Sequence, residues 1–158
     1  MLMVLALLAW RQIPLILKNI ETEGARLESK TYTVISSATG LAATKFPPDD
    51  SKIIAVFWAT WCGPCKVEMH RFQTSVQEGK IAGSKIVAIN PFESPIVVKK
   101  FLSENQFGFT FIDAPDFAQA LNIEITPTTL FVDKGRITSM STGMSLIGIW
   151  MAERFLSE

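Results

Sequence analysis

Apolar residues fall along this chain in two kinds of run. Ile53 to Trp58 is apolar without a break, the signature of a central strand buried on both faces. Tyr32 to Ser36 instead alternates, as a half-buried strand does, and Leu41 to Phe46 is placed to return beside it. Pro47, Pro48, Asp49 and Asp50 then break the pattern. After the apolar run, Cys65, Met69, Phe72 and Val76 recur at helical spacing. Ile86 to Ile89 reads as the next strand. Ser94 and Pro95 suit an N-cap and first turn, with Val97, Val98, Phe101 and Leu102 as that helix's buried face. Phe109 to Ile112 predicts a short strand, and Phe117 to Leu121 a short helix that Asp113 and Asp116 would cap. Thr128 to Val132 and Arg136 to Ser141 flank Asp133-Lys134-Gly135, a hairpin, and Ile147, Met151 and Phe155 mark a closing helix. Strands alternating with helices, then a hairpin and a helix, predict an α/β sandwich.

The N-terminus follows another rule. Met1 to Trp10 is wholly apolar, Arg11 and Gln12 interrupt, and Ile13 to Leu17 resumes. A spanning helix needs about 20 apolar residues, so residues 1–17 predict a membrane anchor or a remnant of one, with an apolar arm packed on the domain or on a second chain as the alternative. Ile13, Ile16, Leu17, Ile20 and Leu27 continue at helical spacing as a connector. The predicted division is therefore arm and connector over residues 1–29 and one globular domain over 30–158. Arg11, Lys18, Arg26 and Lys30 follow the apolar run and no basic residue precedes it, a distribution that by itself holds the domain in the cytoplasm.

Composition changes this picture little. Fifteen basic residues balance fifteen acidic ones, so no broad field draws nucleic acid. Two cysteines in all exclude a disulfide-rich scaffold, and with one histidine they cannot supply a four-ligand zinc site unaided. Spacing alone leaves Cys62 and Cys65 as a redox pair, as half of a shared metal site that could hold copper(I), or as chance neighbours.

The flanking residues weigh on that choice. An apolar strand delivers Cys62, and Gly63 and Pro64 turn the backbone into a helix. Cys62 then stands at the helix N-terminus, where free N–H groups favour the thiolate, the nucleophilic form. Cys65, one turn on and less exposed, can resolve the mixed disulfide. Trp61 shields the pair and offers a partner an apolar platform.

The stretch Phe57-Trp58-Ala59-Thr60-Trp61-Cys62-Gly63-Pro64-Cys65-Lys66-Val67-Glu68-Met69 resembles the TlpA/ResA-type branch of the thioredoxin superfamily, and Ile125-Thr126-Pro127-Thr128-Thr129-Leu130-Phe131-Val132-Asp133 resembles its cis-proline segment and the strand that follows. The resemblance covers residues 31–158. It implies a thioredoxin fold, a central mixed sheet flanked by helices, with extra N-terminal strands and a helical insertion at Pro95 to Gln106. It implies a thiol-disulfide oxidoreductase whose redox-active disulfide Cys62–Cys65 needs no bound cofactor. Partners would be oxidised cysteine-containing proteins, apocytochrome c among them, and a protein electron donor. The location implied is the cell envelope, membrane-anchored and facing the periplasm or outside, against the cytoplasmic placement from the charges.

By position, Pro127 matches the cis-proline, turning Thr126 towards a substrate strand, with an ordinary trans turn as the bland alternative. Glu68 matches an acidic residue that relays a proton to or from Cys65; the alternative is an exposed helix glutamate. The branch usually has proline after Glu-Met, where this chain has His70, read as a surface residue. Val56 replaces the buried aspartate of cytosolic thioredoxins, which shifts the relay towards Glu68. Gly-Pro between the cysteines is the thioredoxin dipeptide, at the reducing end of the range at about −270 mV. The alternatives are a cytosolic thioredoxin-like reductant and a non-catalytic thiol or metal-binding module. Met140, Met144, Met151 and Trp150 read as packing residues.

Overall fold

The computed structural model describes residues 22–158, and the apolar run of residues 1–17 lies outside them. Seven strands form one sheet: β1 (Lys30–Ser36), β2 (Ala43–Phe46), β3 (Lys52–Phe57), β4 (Ile86–Ile89), β5 (Thr110–Asp113), β6 (Thr128–Asp133) and β7 (Arg136–Thr142). Their spatial order is β2-β1-β5-β4-β3-β6-β7. The sheet is mixed: β3, β4 and β5 run parallel, while β6, β7, β1 and β2 join antiparallel. Among the described residues, four α-helices complete it: α1 (Gly63–Gln77), α2 (Pro95–Glu104), α3 (Pro115–Ala120) and α4 (Gly148–Ser157). Among the described residues, no helix is long and apolar enough to cross a membrane.

The apolar run of β3 is divided by the two-residue period of a strand between two cores. Ile53, Ala55 and Phe57 face a cluster with Phe46, Phe117 and Leu130; Ile54, Val56 and Trp58 face a second with Cys65, Met69, Phe72 and Phe111. Helix α3 covers the first face, and α1, α2 and α4 cover the second. A strand wedged between two cores is held on every side, which makes its end a firm mount for the cysteines.

The β6–β7 turn is a two-residue hairpin with Lys134 and Gly135 both at positive φ, the geometry whose twist matches the flanking strands. Gly83 is required for a different reason: a Cβ there would lie 1.8 Å from the carbonyl oxygen of Gly108. The peptide bonds Phe46–Pro47 and Thr126–Pro127 are cis.

Several sequence expectations are corrected. Leu27 does not continue a helical stripe: Gly24 N–H donates to Ile137 at 2.7 Å, Leu27 N–H donates to Gly135 at 2.8 Å, and Leu27 packs on the first core. Asp113 and Asp116 do not cap α3, whose N-cap is Ala114. Asp116 instead accepts a hydrogen bond from the Tyr32 hydroxyl at 3.2 Å. Burial, and then the Asp116 charge, push the Tyr32 pKa up to about 12. Ser94 is the N-cap of α2 but makes no side-chain cap bond, and Val97 is exposed rather than buried. Trp150 is 58% exposed, not packed, with the Arg154 guanidinium 5.8 Å from its ring. Met144 and Ile147 are likewise exposed, in the segment joining β7 to α4.

Candidate functional site

Cys62 is the N-cap residue of α1, with Pro64 in the first turn. Its Sγ accepts a hydrogen bond from the Cys65 N–H at 3.2 Å, one of the donors that a helix start leaves free. A negative sulfur at this position would be stabilised by the same N–H and by the helix dipole. In this structure the two sulfurs are joined in a disulfide with Cα atoms 5.2 Å apart. Cys62 is 5% exposed and Cys65 fully buried, so the first sulfur is the one nearer solvent. Gly63 and Pro64 are exposed beside it. Trp61 is 68% exposed and packs against Phe92, ring centroids 5.9 Å apart. It offers the expected platform and leans on the β4–α2 loop.

Thr126 and Pro127 come to the same end of the sheet. Thr128 pairs with Phe57, so the residues just before β6 lie beside the carboxyl end of β3, where the chain leads into the cysteines. Pro127 is buried and Thr126 half-buried. Gly143 N–H donates to the Pro127 carbonyl at 2.7 Å, which ties this segment to the end of β7.

Glu68 is not an exposed helix glutamate. It is 2% exposed and shares the buried face of α1 with Cys65, Met69 and Phe72. Arg71 Nη1 donates to its Oε2 at 3.2 Å. Burial pushes the Glu68 carboxyl above its ordinary 4.5, against the pull of the Arg71 charge and hydrogen bond. A carboxyl shifted in this direction can carry a proton nearer neutral pH. Val56 is fully buried in the same core, so the β3 position that the resemblance associates with aspartate offers no charge here. His70 lies on the outer side of α1, its ring 5.4 Å from that of Phe107.

Glu93 is a part of the site that the sequence reading missed. Its Oε2 accepts from the Thr60 N–H and from Asn90 Nδ2, each at 2.7 Å, and its Oε1 accepts from the Thr60 hydroxyl. Asn90 Oδ1 in turn accepts from the N–H groups of Phe92 and Glu93, closing an Asx turn. Burial alone would raise the Glu93 carboxyl, but the Thr60 and Asn90 hydrogen bonds, with the charge of Lys66, hold it below 4.5. The loop after β4 thus fixes the residue two before Cys62. An Asn three before a Glu after a strand was the available signal, and it reads equally as an ordinary turn.

The fold and parts of the sequence recur in known proteins. The chain is 38% identical to the thiol-disulfide oxidoreductase ResA of Geobacillus kaustophilus over 92 residues, 55% of this chain and 52% of that protein. The chain spans about half the length of the curated relatives it matches. A putative thiol:disulfide interchange protein DsbE from Chlorobium tepidum superposes with a TM-score of 0.69 at 20% identity, covering 85% of this chain and 95% of that one. The thioredoxin domain of a thiol-disulfide oxidoreductase from Bacteroides vulgatus superposes with a TM-score of 0.67 at 17% identity, over 85% and 97% of the two chains. The architecture is a thioredoxin fold extended by β1, β2 and α2. A model of the AhpC/TSA family matches residues 37–140, from the end of β1 into β7 and across both cysteines, and this chain belongs to that family.

Proposed function

We propose that this chain is a protein thiol-disulfide oxidoreductase and that it reduces disulfides of other proteins through Cys62 and Cys65. The observation that carries the reading is the disulfide itself, formed at the start of a helix with its outer sulfur at the N-cap. Once reduced, the Cys62 thiolate attacks one sulfur of a substrate disulfide. A mixed disulfide forms and one substrate thiolate leaves. Cys65, giving up its proton, attacks Cys62 Sγ and expels the second substrate thiolate. Two electrons have then passed to the substrate, and the Cys62–Cys65 disulfide remains. Glu68, buried on the same helix face, takes the proton from Cys65. Trp61, Gly63 and Pro64 contact the substrate, and Thr126 offers its backbone to the substrate strand beside the cis Pro127. No bound cofactor is needed, since the cysteine pair holds the electrons. A protein dithiol restores the reduced form by the reverse exchange.

Substrates in this reading are oxidised cysteine proteins of the cell envelope, apocytochrome c among them. The domain faces the periplasm or outside, held through residues 1–17. The resemblance of the cysteine segment to TlpA/ResA-type proteins supports this location. In Cys65→Ser, attack survives and resolution fails, so mixed disulfides accumulate on Cys62 and can be identified on non-reducing gels. Cys62→Ser traps nothing. Normal turnover of a model disulfide by both variants would overturn the reading.

A further inference from the structure

Arg71 makes contacts that this chemistry does not use. Its Nη1 donates to Glu68 Oε2 at 3.2 Å and to the Ser145 carbonyl at 2.7 Å, and its Nη2 donates to the Leu146 carbonyl at 2.8 Å. Ser145 and Leu146 lie between β7 and α4, on the segment that begins at Gly143, bonded to Pro127. Gly148 brings the backbone against the carboxylate: a Cβ there would sit 3.2 Å from Glu68 Oε1 and 3.0 Å from Ser145 Cβ. One guanidinium therefore joins a buried carboxylate to an exposed turn that starts beside Pro127, in the segment proposed to receive the substrate strand. A planar fork with five donors can serve all three oxygens, which a lysine ammonium cannot match in geometry.

We propose that Arg71 is a positioning residue that couples the Ser145–Leu146 turn to the carboxylate of Glu68, so that displacing the turn withdraws the guanidinium from Glu68. This rests on Glu68 being the group that takes the Cys65 proton. Leu146 is among the most exposed apolar side chains of the molecule, so the turn is open to a docking protein. A partner that shifts it weakens the ion pair, and with less positive charge beside it the buried carboxylate binds a proton more tightly. Docking thereby primes the acceptor for the proton that Cys65 must release. The other charged groups nearby are turned elsewhere. Glu153 of α4 accepts from Ser75 Oγ at 2.8 Å, and Glu78 pairs with Lys80 at 2.7 Å. These line a hollow beside Arg71, while Arg71 is the charge that acts on Glu68.

The test uses the oxidised full chain without substrate, so that it stays readable whether or not disulfide reduction is observed. The Glu68 side-chain carboxyl and the amides of Leu146 and Ile147 are followed by NMR through a pH titration. In the wild type, the turn amides show a step at the Glu68 midpoint. In Glu68→Gln that step disappears. In Arg71→Gln the Glu68 midpoint moves to higher pH and the turn amides lose the step; Arg71→Lys, keeping charge without the fork, shifts the midpoint less. Turn amides that ignore the Glu68 titration, or keep their step in Glu68→Gln, overturn the coupling. So does an unmoved midpoint in Arg71→Gln. The comparison of wild type with Glu68→Gln stands even if Arg71→Gln fails to fold.

Discussion

The loop after β4 and the buried face of α1 each withdraw one glutamate from water beside the cysteine motif, and they move it in opposite directions. Glu93 is held by N–H and O–H donors of Thr60 and Asn90, and its proton is lost more readily than usual. Glu68 accepts from one arginine, too little to offset its burial, and its proton is kept longer. Burial raises both. What separates them is the number of donors aimed at the charged form. The better-solvated carboxylate suits a structural strut, and the poorly solvated one suits a group that must accept and return a proton.

The sharpest way to break this contrast is to remove the strut. Glu93→Ala leaves the Thr60 N–H, its hydroxyl and the Asn90 amide without their common acceptor. Unfolding in urea should show a loss of about 2 kcal/mol, and disulfide reduction should slow because the turn before Cys62 loosens. An unchanged denaturation midpoint would make the loop a bystander. A smaller cut is Thr60→Val, which deletes the hydroxyl donor and keeps the N–H. It should cost about 1 kcal/mol and raise the Glu93 pKa towards 4.5, read from the side-chain carboxyl resonance.

The subtlest effect lies in the pH dependence of stability, where sign is the observable. Glu93 titrates lower in the folded chain than in the unfolded one, so its contribution is present above 4.5 and is lost as pH falls through the folded value. Glu68 titrates higher when folded. Its contribution is complete below 4.5 and is lost as pH rises through the folded value. Denaturation of the oxidised protein at a series of pH values should show Glu93→Gln flattening the acid limb and Glu68→Gln flattening the decline above 4.5. If both substitutions flattened the same limb, the two environments would not be opposed as described.

What could be read from the chain beforehand divides along the same line. The β3 strand, the cysteine turn and the Lys134-Gly135 hairpin rest on neighbours in sequence, and their patterns were legible. The position of Pro127 beside the end of β3 was legible through resemblance alone. Glu93 and Arg71 escaped because their partners are remote: Thr60 lies 33 residues from Glu93, and Ser145 lies 74 from Arg71. Periodicity carries no information about such pairs. The same remoteness explains the errors at Val97, which the helical pattern placed inside, and at Trp150, read as a packing residue; the packing left both outside. Tyr32 and Asp116, 84 residues apart, show why the capping assignment failed: the carboxylate had a better donor than the helix start.

The hydrogen bonds of Gly24 and Leu27 to the hairpin also bear on how copies of this molecule meet. A sheet has two rims, and a rim with free N–H and C=O groups invites another chain to extend it. On the β7 side, the backbone of residues 24–27 occupies that row next to the hairpin turn: Gly24 N–H reaches Ile137, Ile137 N–H reaches Ala25, and Leu27 N–H reaches Gly135. On the opposite side, β2 is four residues long and carries Lys45, paired with Asp49. One rim is thus capped at its hairpin end by the chain's own backbone, and the other is short and charged. Cutting the chain after Leu27 would remove the first barrier and leave the active-site residues in place. A chain cut after Leu27 should self-associate more than one cut after residue 21, and equal association of the two would take this role away from residues 24–27.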